Sequence, residues 1–156
     1  MAVTTFAAID IGSYEVSMKI FEMSKRIGFR EINDVRYQLA LGRGTYAAGR
    51  LEMETVDELC EILNDFKRMM AEFGVESWRA CATSSLRELK NPTIILEQIY
   101  QRTGIRVEIL SNAEQHFLGY KSIAAIESGF KKAIQKGTAI LYIGGGNLQV
   151  SLFDKD

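Results

Sequence analysis

Two short glycine turns offer the clearest chemistry in this sequence. Ile11-Gly12-Ser13 ends the apolar run Val3–Ile11, and Gly144-Gly145-Gly146-Asn147 follows the apolar run Thr138–Ile143. A strand that closes in a tight glycine turn exposes consecutive backbone N–H groups, and such groups can cradle a phosphate. Glycine serves there because it tolerates positive φ and lets a ligand approach the backbone closely. Taken singly, each segment reads more readily as a plain hairpin turn.

Other chemistries are excluded or weak. The sequence has no G-x-x-x-x-G-K-[ST] segment, which argues against a P-loop nucleotidase. One histidine, His116, rules out any site that needs two, and a lone helical histidine is usually structural. Cys60 and Cys81 have neither metal-ligand spacing nor a disulfide framework and read as small buried hydrophobes. Lys131, Lys132 and Lys136 read as a solvated helix end and turn. A net charge of −1 gives no reason to expect nucleic acid or an anionic membrane as partner. No apolar run approaches the ~18 residues of a membrane span. The N-terminus has no basic segment, and Asp10 interrupts its apolar stretch, so no signal peptide is expected and the chain is expected to be cytoplasmic.

The elements that must position the two turns are legible in outline. At 156 residues the chain suits one ordinary domain with a useful core. Val3–Ile11 is apolar on both faces, which predicts a central strand. Val16–Phe21 and Phe29–Leu39 follow as further strands, then Gly42-Arg43-Gly44 and Gly49 as turns. Thr55 and Glu58 form a capping-box pattern ahead of a stripe through Val56, Leu59, Cys60, Leu63, Phe66, Met70 and Phe73, which Gly74 stops. Trp78–Thr83 is the next strand. Asn91-Pro92 opens a helix that ends at Gly104. Arg106–Leu110 is a strand, and a helix runs from Ser111 to about Gly129. Thr138–Ile143 and Leu148–Phe153 are strands around the second glycine turn. Three strands followed by alternating helix and strand predict an α/β fold, a mixed sheet with helices packed on it.

A weak repeat refines this outline. Asp10–Phe21 overlays Tyr142–Phe153 without a gap, with three identities in twelve, and each copy runs strand, glycine turn, strand. A duplicated two-lobe fold would place such a hairpin at the start of each lobe. Residues 1–130 are then expected to form the first lobe. Residues 131–156 become a linker and the opening hairpin of a second, truncated lobe.

Five segments together resemble the Ppx/GppA family of exopolyphosphatases and guanosine-pentaphosphate phosphohydrolases. Ala8-Ile9-Asp10-Ile11-Gly12-Ser13 resembles its A-x-D-x-G-S-N opening, and Leu41-Gly42-Arg43-Gly44 its L-G-x-G turn. Ala82-Thr83-Ser84-Ser85-Leu86-Arg87 is similar to A-T-S-A-L-R, and Ile109-Leu110-Ser111 with Glu114-Gln115 to I-S-G-x-E-E-A. Ile143-Gly144-Gly145-Gly146 resembles the D-I-G-G-G-S-T-E loop. The matches run in order along nearly the whole chain. The resemblance implies an actin-like lobe (the class of sugar kinases, Hsp70 and the ribonuclease H-like folds). It further implies a ligand such as polyphosphate or guanosine pentaphosphate held between lobes, Mg²⁺ as cofactor, hydrolysis of the terminal phosphoanhydride, and room for a homodimer of a full-length protein. Phosphate contacts fall on Gly12, Ser13, Arg87, Gly144, Gly145, Gly146 and Asn147. Arg87 is open between a phosphate clamp and a surface ion pair.

The departures from that pattern fall where catalysis would sit. The family's asparagine after D-x-G-S is Tyr14, its catalytic glutamate falls on Gln115, and the aspartate before its glycine loop is Tyr142. Its S-T-E becomes Asn147-Leu148-Gln149, so the second acidic position is Gln149. Glutamine keeps the reach of glutamate without useful basicity. Asp10 is left as the clear acidic candidate for a metal. Glu114 is a weak substitute base, because Ser111 and Glu114 already form a capping box. His116 is a less favoured replacement. The sequence thus leaves open a hydrolase with impaired catalysis and a phosphate- or nucleotide-polyphosphate-binding regulatory module; a kinase would need an acceptor site for which no residue stands out.

Overall fold

The computed structural model describes residues 3–26, 28–127, 129–135 and 137–153; Lys136 lies outside them. β1 (Thr4–Ile11), β2 (Glu15–Ser24) and β3 (Gly28–Gln38) form an antiparallel meander. β4 (Ser77–Ala82) and β5 (Val107–Ile109) extend the sheet in parallel from β1, giving the order β3-β2-β1-β4-β5. The predicted mixed sheet is therefore present, with β1 at its centre.

The expectation that β1 is apolar on both faces needs correction. Ala7, Ile9 and Ile11 are buried on one face, with Val16, Met18 and Ile20 of β2 and Ala80 and Ala82 of β4. The alternate residues Phe6, Ala8 and Asp10 instead border a cavity of about 440 Å³. The alternation of a strand puts the polar Asp10 on this open face.

The sealed face is covered by α2 (Met53–Glu72) and α4 (Pro92–Thr103). Before them comes α1 (Leu41–Ala48), and between them α3 (Ser84–Arg87). The α2 stripe is the predicted one, with Val56, Leu59, Cys60, Leu63 and Phe66 almost wholly buried, whereas Phe73 is exposed. Its start differs from expectation. The N-cap is Glu52 rather than Thr55, without a side-chain cap, because Thr55 and Val56 already donate their N–H groups to the Glu52 carbonyl. α4 ends at Gly104, whose φ of 74° is the left-handed stop that glycine supplies.

The predicted turn at Gly42-Arg43-Gly44 is a helix. Those two glycines have ordinary helical backbones and are required by proximity instead. A Cβ on Gly42 would lie 3.1 Å from Ser13 Cβ, and one on Gly44 2.8 Å from the Arg50 carbonyl. Gly49, with φ of 69°, is the true turn.

α5 (Asn112–Ile126) begins with the predicted capping box: Glu114 N–H donates to Ser111 Oγ, and Ser111 N–H to Glu114 Oε2 at 2.9 Å. It stops at Ile126, and α6 (Phe130–Ile134) follows as a separate short helix. β6 (Thr138–Ile143) and β7 (Leu148–Phe153) then form a two-stranded sheet that shares no strand with the first. Tyr120, Phe130 and Phe153 cluster by their rings, and His116 Nε2 hydrogen-bonds Ser151 Oγ; these contacts seat the hairpin on α5. His116 thus has the structural place that its isolation suggested. Among the described residues no helix is long and apolar enough to cross a membrane.

Candidate functional site

The two glycine turns meet. Each closes in the same way: Gly12 N–H donates to the Glu15 carbonyl and Gly144 N–H to the Asn147 carbonyl, both at 2.9 Å. Gly12 and Gly144 are equivalent in the twelve-residue repeat, so the weak sequence match has a geometric counterpart. This corrects the simplest picture of the cradle, because those two N–H groups are spent on the turns. The N–H groups of Ser13, Gly145 and Gly146 lie outside the turn hydrogen bonds.

Between the turns lies a cleft of about 260 Å³, lined from both sides: Asp10 and Gly12 to Glu15 of the first hairpin, Thr83 and Ser84 after β4, Gln115 of α5, and Tyr142 with Gly144 to Asn147 of the second. Predicted site residues from three separate stretches of chain, around Gly12, Gln115 and Gly145, are thereby brought together. No lysine, arginine or histidine is among the described residues that line it.

Beneath the cleft the predicted Ser13 hydroxyl meets two others, of Tyr46 and Ser84, that motif matching did not single out. Ser13 Oγ is 2.7 Å from Tyr46 OH and 3.1 Å from Ser84 Oγ, and Tyr46 OH donates to Ser84 Oγ at 2.8 Å. The triangle ties β1, α1 and α3 into one platform. Gly146 rests on it: a Cβ there would lie 2.5 Å from Ser13 Oγ and 2.8 Å from Tyr46 Cζ. Gly146→Ala is therefore expected to cost about 1–3 kcal/mol in urea denaturation, the usual cost of overpacking. Adding Tyr46→Phe, which removes the nearest atom, should recover part of the loss. An alanine variant as stable as wild type would contradict this contact.

The other sequence candidates surround a second, adjoining cavity of about 440 Å³ on the open face of the sheet. Asp10, Gln115, Tyr142 and Gln149 all line it, with Leu118 and Gly119 of α5 opposite Phe6 and Ala8. Tyr142 and Gln149 are direct partners across β6 and β7, which places them on one face of that hairpin. Four of the positions that carry acidic groups in the resembling family pattern thus converge, and of these only Asp10 is acidic here.

Asp10 keeps a solvent-facing edge, but its carboxyl sits among the cleft walls. That burial raises its pKa above the usual carboxylate value, and the charge of Glu15 raises it further. The Tyr142 phenol is likewise pushed up, by burial first and by Asp10 second. Glu114 is exposed and committed to its cap; its pKa is lowered by hydrogen bonds from Ser111, so it does not replace the missing base. Arg87 does not line the cleft. Its Nη1 donates to the Leu110 carbonyl at 2.6 Å and to Gln115 Oε1 at 3.2 Å, and Nε lies 3.5 Å from Glu88.

Among the described residues no three His, Cys, Asp or Glu side chains cluster as a metal cage. Mg²⁺ does not require one, since it binds through one or two carboxylates, waters and substrate phosphates. Asp10 and Glu15, two carboxylates that line the same cleft, fit that donor set. Glu15 escaped the sequence reading because the family pattern stops one residue before it.

Residues 20–156 match the family model described as the Ppx/GppA phosphatase family. Exopolyphosphatase 1 of Mycobacterium leprae is 24% identical over 144 residues, covering 92% of this chain and 41% of that protein. Exopolyphosphatase 2 of Mycobacterium tuberculosis is 26% identical over 160 residues, covering 97% and 49%. The crystal structure of the Aquifex aeolicus Ppx/GppA family member superimposes with a TM-score of 0.76 at 24% identity, over 97% of this chain and 51% of that one, which establishes the α/β fold. The chain spans less than half to about half the length of the relatives it matches.

Proposed function

This chain belongs to the Ppx/GppA phosphatase family, and on that premise we propose that its cleft binds the terminal phosphates of a phosphoanhydride such as polyphosphate or guanosine pentaphosphate and hydrolyses them poorly. The observation that carries this reading is the meeting of two glycine turns over one cleft whose surrounding acidic positions, Asp10 excepted, hold Gln115, Tyr142 and Gln149. In this reading residues 1–130 are the first lobe and 131–156 the linker and opening hairpin of a second. The separate β6–β7 sheet supports that division.

The N–H groups of Ser13, Gly145 and Gly146 receive phosphate oxygens, with the Asn147 side chain beside them. Asp10, aided by Glu15, would hold Mg²⁺, which when bound neutralises charge on the phosphates. No residue at position 115 or 149 can accept a proton from water at neutral pH, so general-base assistance is missing. The cleft is also open, with Tyr14 56% and Tyr142 44% exposed, so water is not excluded and positioning is incomplete.

The test is calorimetric titration of the 156-residue chain with linear triphosphate and Mg²⁺, beside an assay of phosphate release. Binding without turnover at ordinary rates of roughly 1–10³ s⁻¹ is expected. Mg²⁺-dependent release that Asp10→Ala abolishes would overturn the impaired-catalysis reading. Absence of binding would overturn the phosphate site itself.

A further inference from the structure

We infer that Gln115 is a phosphate-binding donor, its side-chain amide turned toward the cleft by Arg87. This rests on the reading of the cleft as a phosphate site. A guanidinium can only donate, so the atom of Gln115 that faces Arg87 Nη1 at 3.2 Å is the carbonyl oxygen Oε1. The orientation of the amide follows from that chemistry. Arg87 is itself fixed: it closes α3, its side chain is 17% exposed, and the same Nη1 donates to the Leu110 carbonyl at 2.6 Å.

With Oε1 anchored, the Nε2 amino group is the end left to face the cleft that Gln115 lines. Its two N–H groups matter because of what else is there. The cleft contains the carboxylates Asp10 and Glu15, and among its described lining residues no cationic side chain. A glutamate at 115 would add a third negative charge and no donor. Glutamine supplies the donor and omits the charge, so the exchange that removes a base favours retention of an anion. Arg87 is then a positioning residue: it acts on the ligand through the amide it orients.

The experiment titrates linear triphosphate, without Mg²⁺ and then with it, into the wild-type chain and into Gln115→Met, Gln115→Glu, Arg87→Met and Arg87→Lys. Thermal melting of each variant confirms that the fold is kept. Methionine matches the shape of glutamine but cannot donate. Both Gln115 variants are expected to bind roughly 10- to 100-fold more weakly, the loss of a hydrogen bond to a charged group. Arg87→Met should show a smaller loss, which Arg87→Lys partly restores by donating to the same two oxygens. Should Gln115→Met bind like wild type while Gln115→Glu alone is weakened, the effect is charge repulsion and the donor role is overturned. Wild-type affinity in both variants overturns it as well, while the phosphate site stands. No binding by wild type would remove the site and the donor together.

Discussion

Three carboxylates introduced together, Gln115→Glu, Tyr142→Asp and Gln149→Glu, are expected to raise phosphate release from polyphosphate by about 10²–10⁴-fold over wild type. The range is that of a regained general base. Its structural ground is that the three positions and Asp10 already surround one cavity, with 142 and 149 opposite each other across the hairpin. Gln115→Glu alone should gain little. The Tyr142 phenol would still occupy the aspartate position and Gln149 the second acidic one, leaving the metal and the glycine loop disturbed. The measurement is steady-state phosphate release with Mg²⁺. A triple variant that binds polyphosphate yet turns over no faster than wild type would show that the deficit lies outside these side chains.

The second large effect concerns stability. Phe66→Ala is expected to cost about 3–5 kcal/mol in urea unfolding. Phe66 is fully buried on α2 and lies 5.7 Å, ring to ring, from Tyr37 of β3. Its removal leaves a cavity between the helix and the sealed face of the sheet, which cannot easily collapse. Ile94→Ala is the control: that side chain is 58% exposed, and its loss should fall within about ±0.5 kcal/mol. Equal effects in the two variants would mean that the core is not where α2 meets the sheet.

Much of this organisation was readable before any coordinates, and the reasons are local. β6 and β7 have the bounds that their apolar runs gave, Asn91-Pro92 and Gly104 frame α4, and the Ser111–Glu114 box opens α5 as predicted. α1 and α3 were missed because they are short, and because Gly42 and Gly44 serve close packing rather than chain reversal. The cap on α2 was misplaced by a Thr-x-x-Glu pattern that the helix overruns. In the site, Gly12, Ser13, Gln115 and Gly144–Asn147 could be picked out because each sits in a recognisable segment. Tyr46 could not, since nothing in its neighbours encodes a hydroxyl contact to Ser84, 38 residues on. Arg87 was identified, but its partner was not: which way a long side chain turns depends on packing that sequence patterns do not carry.

The seat of Gly146 on Ser13 and Tyr46 has a consequence for how the domain responds to load. The two sheets share no strand: the hairpin is seated on α5 through Phe153 and Ser151, and its glycine turn rests on the hydroxyl platform. The gap between the glycine turns therefore changes with the angle between the sheets. Any ligand that spans both turns acts as a clasp: its binding free energy adds to whatever holds the sheets together. By thermodynamic reciprocity, whatever pries the hairpin away is felt as weaker binding in equal measure.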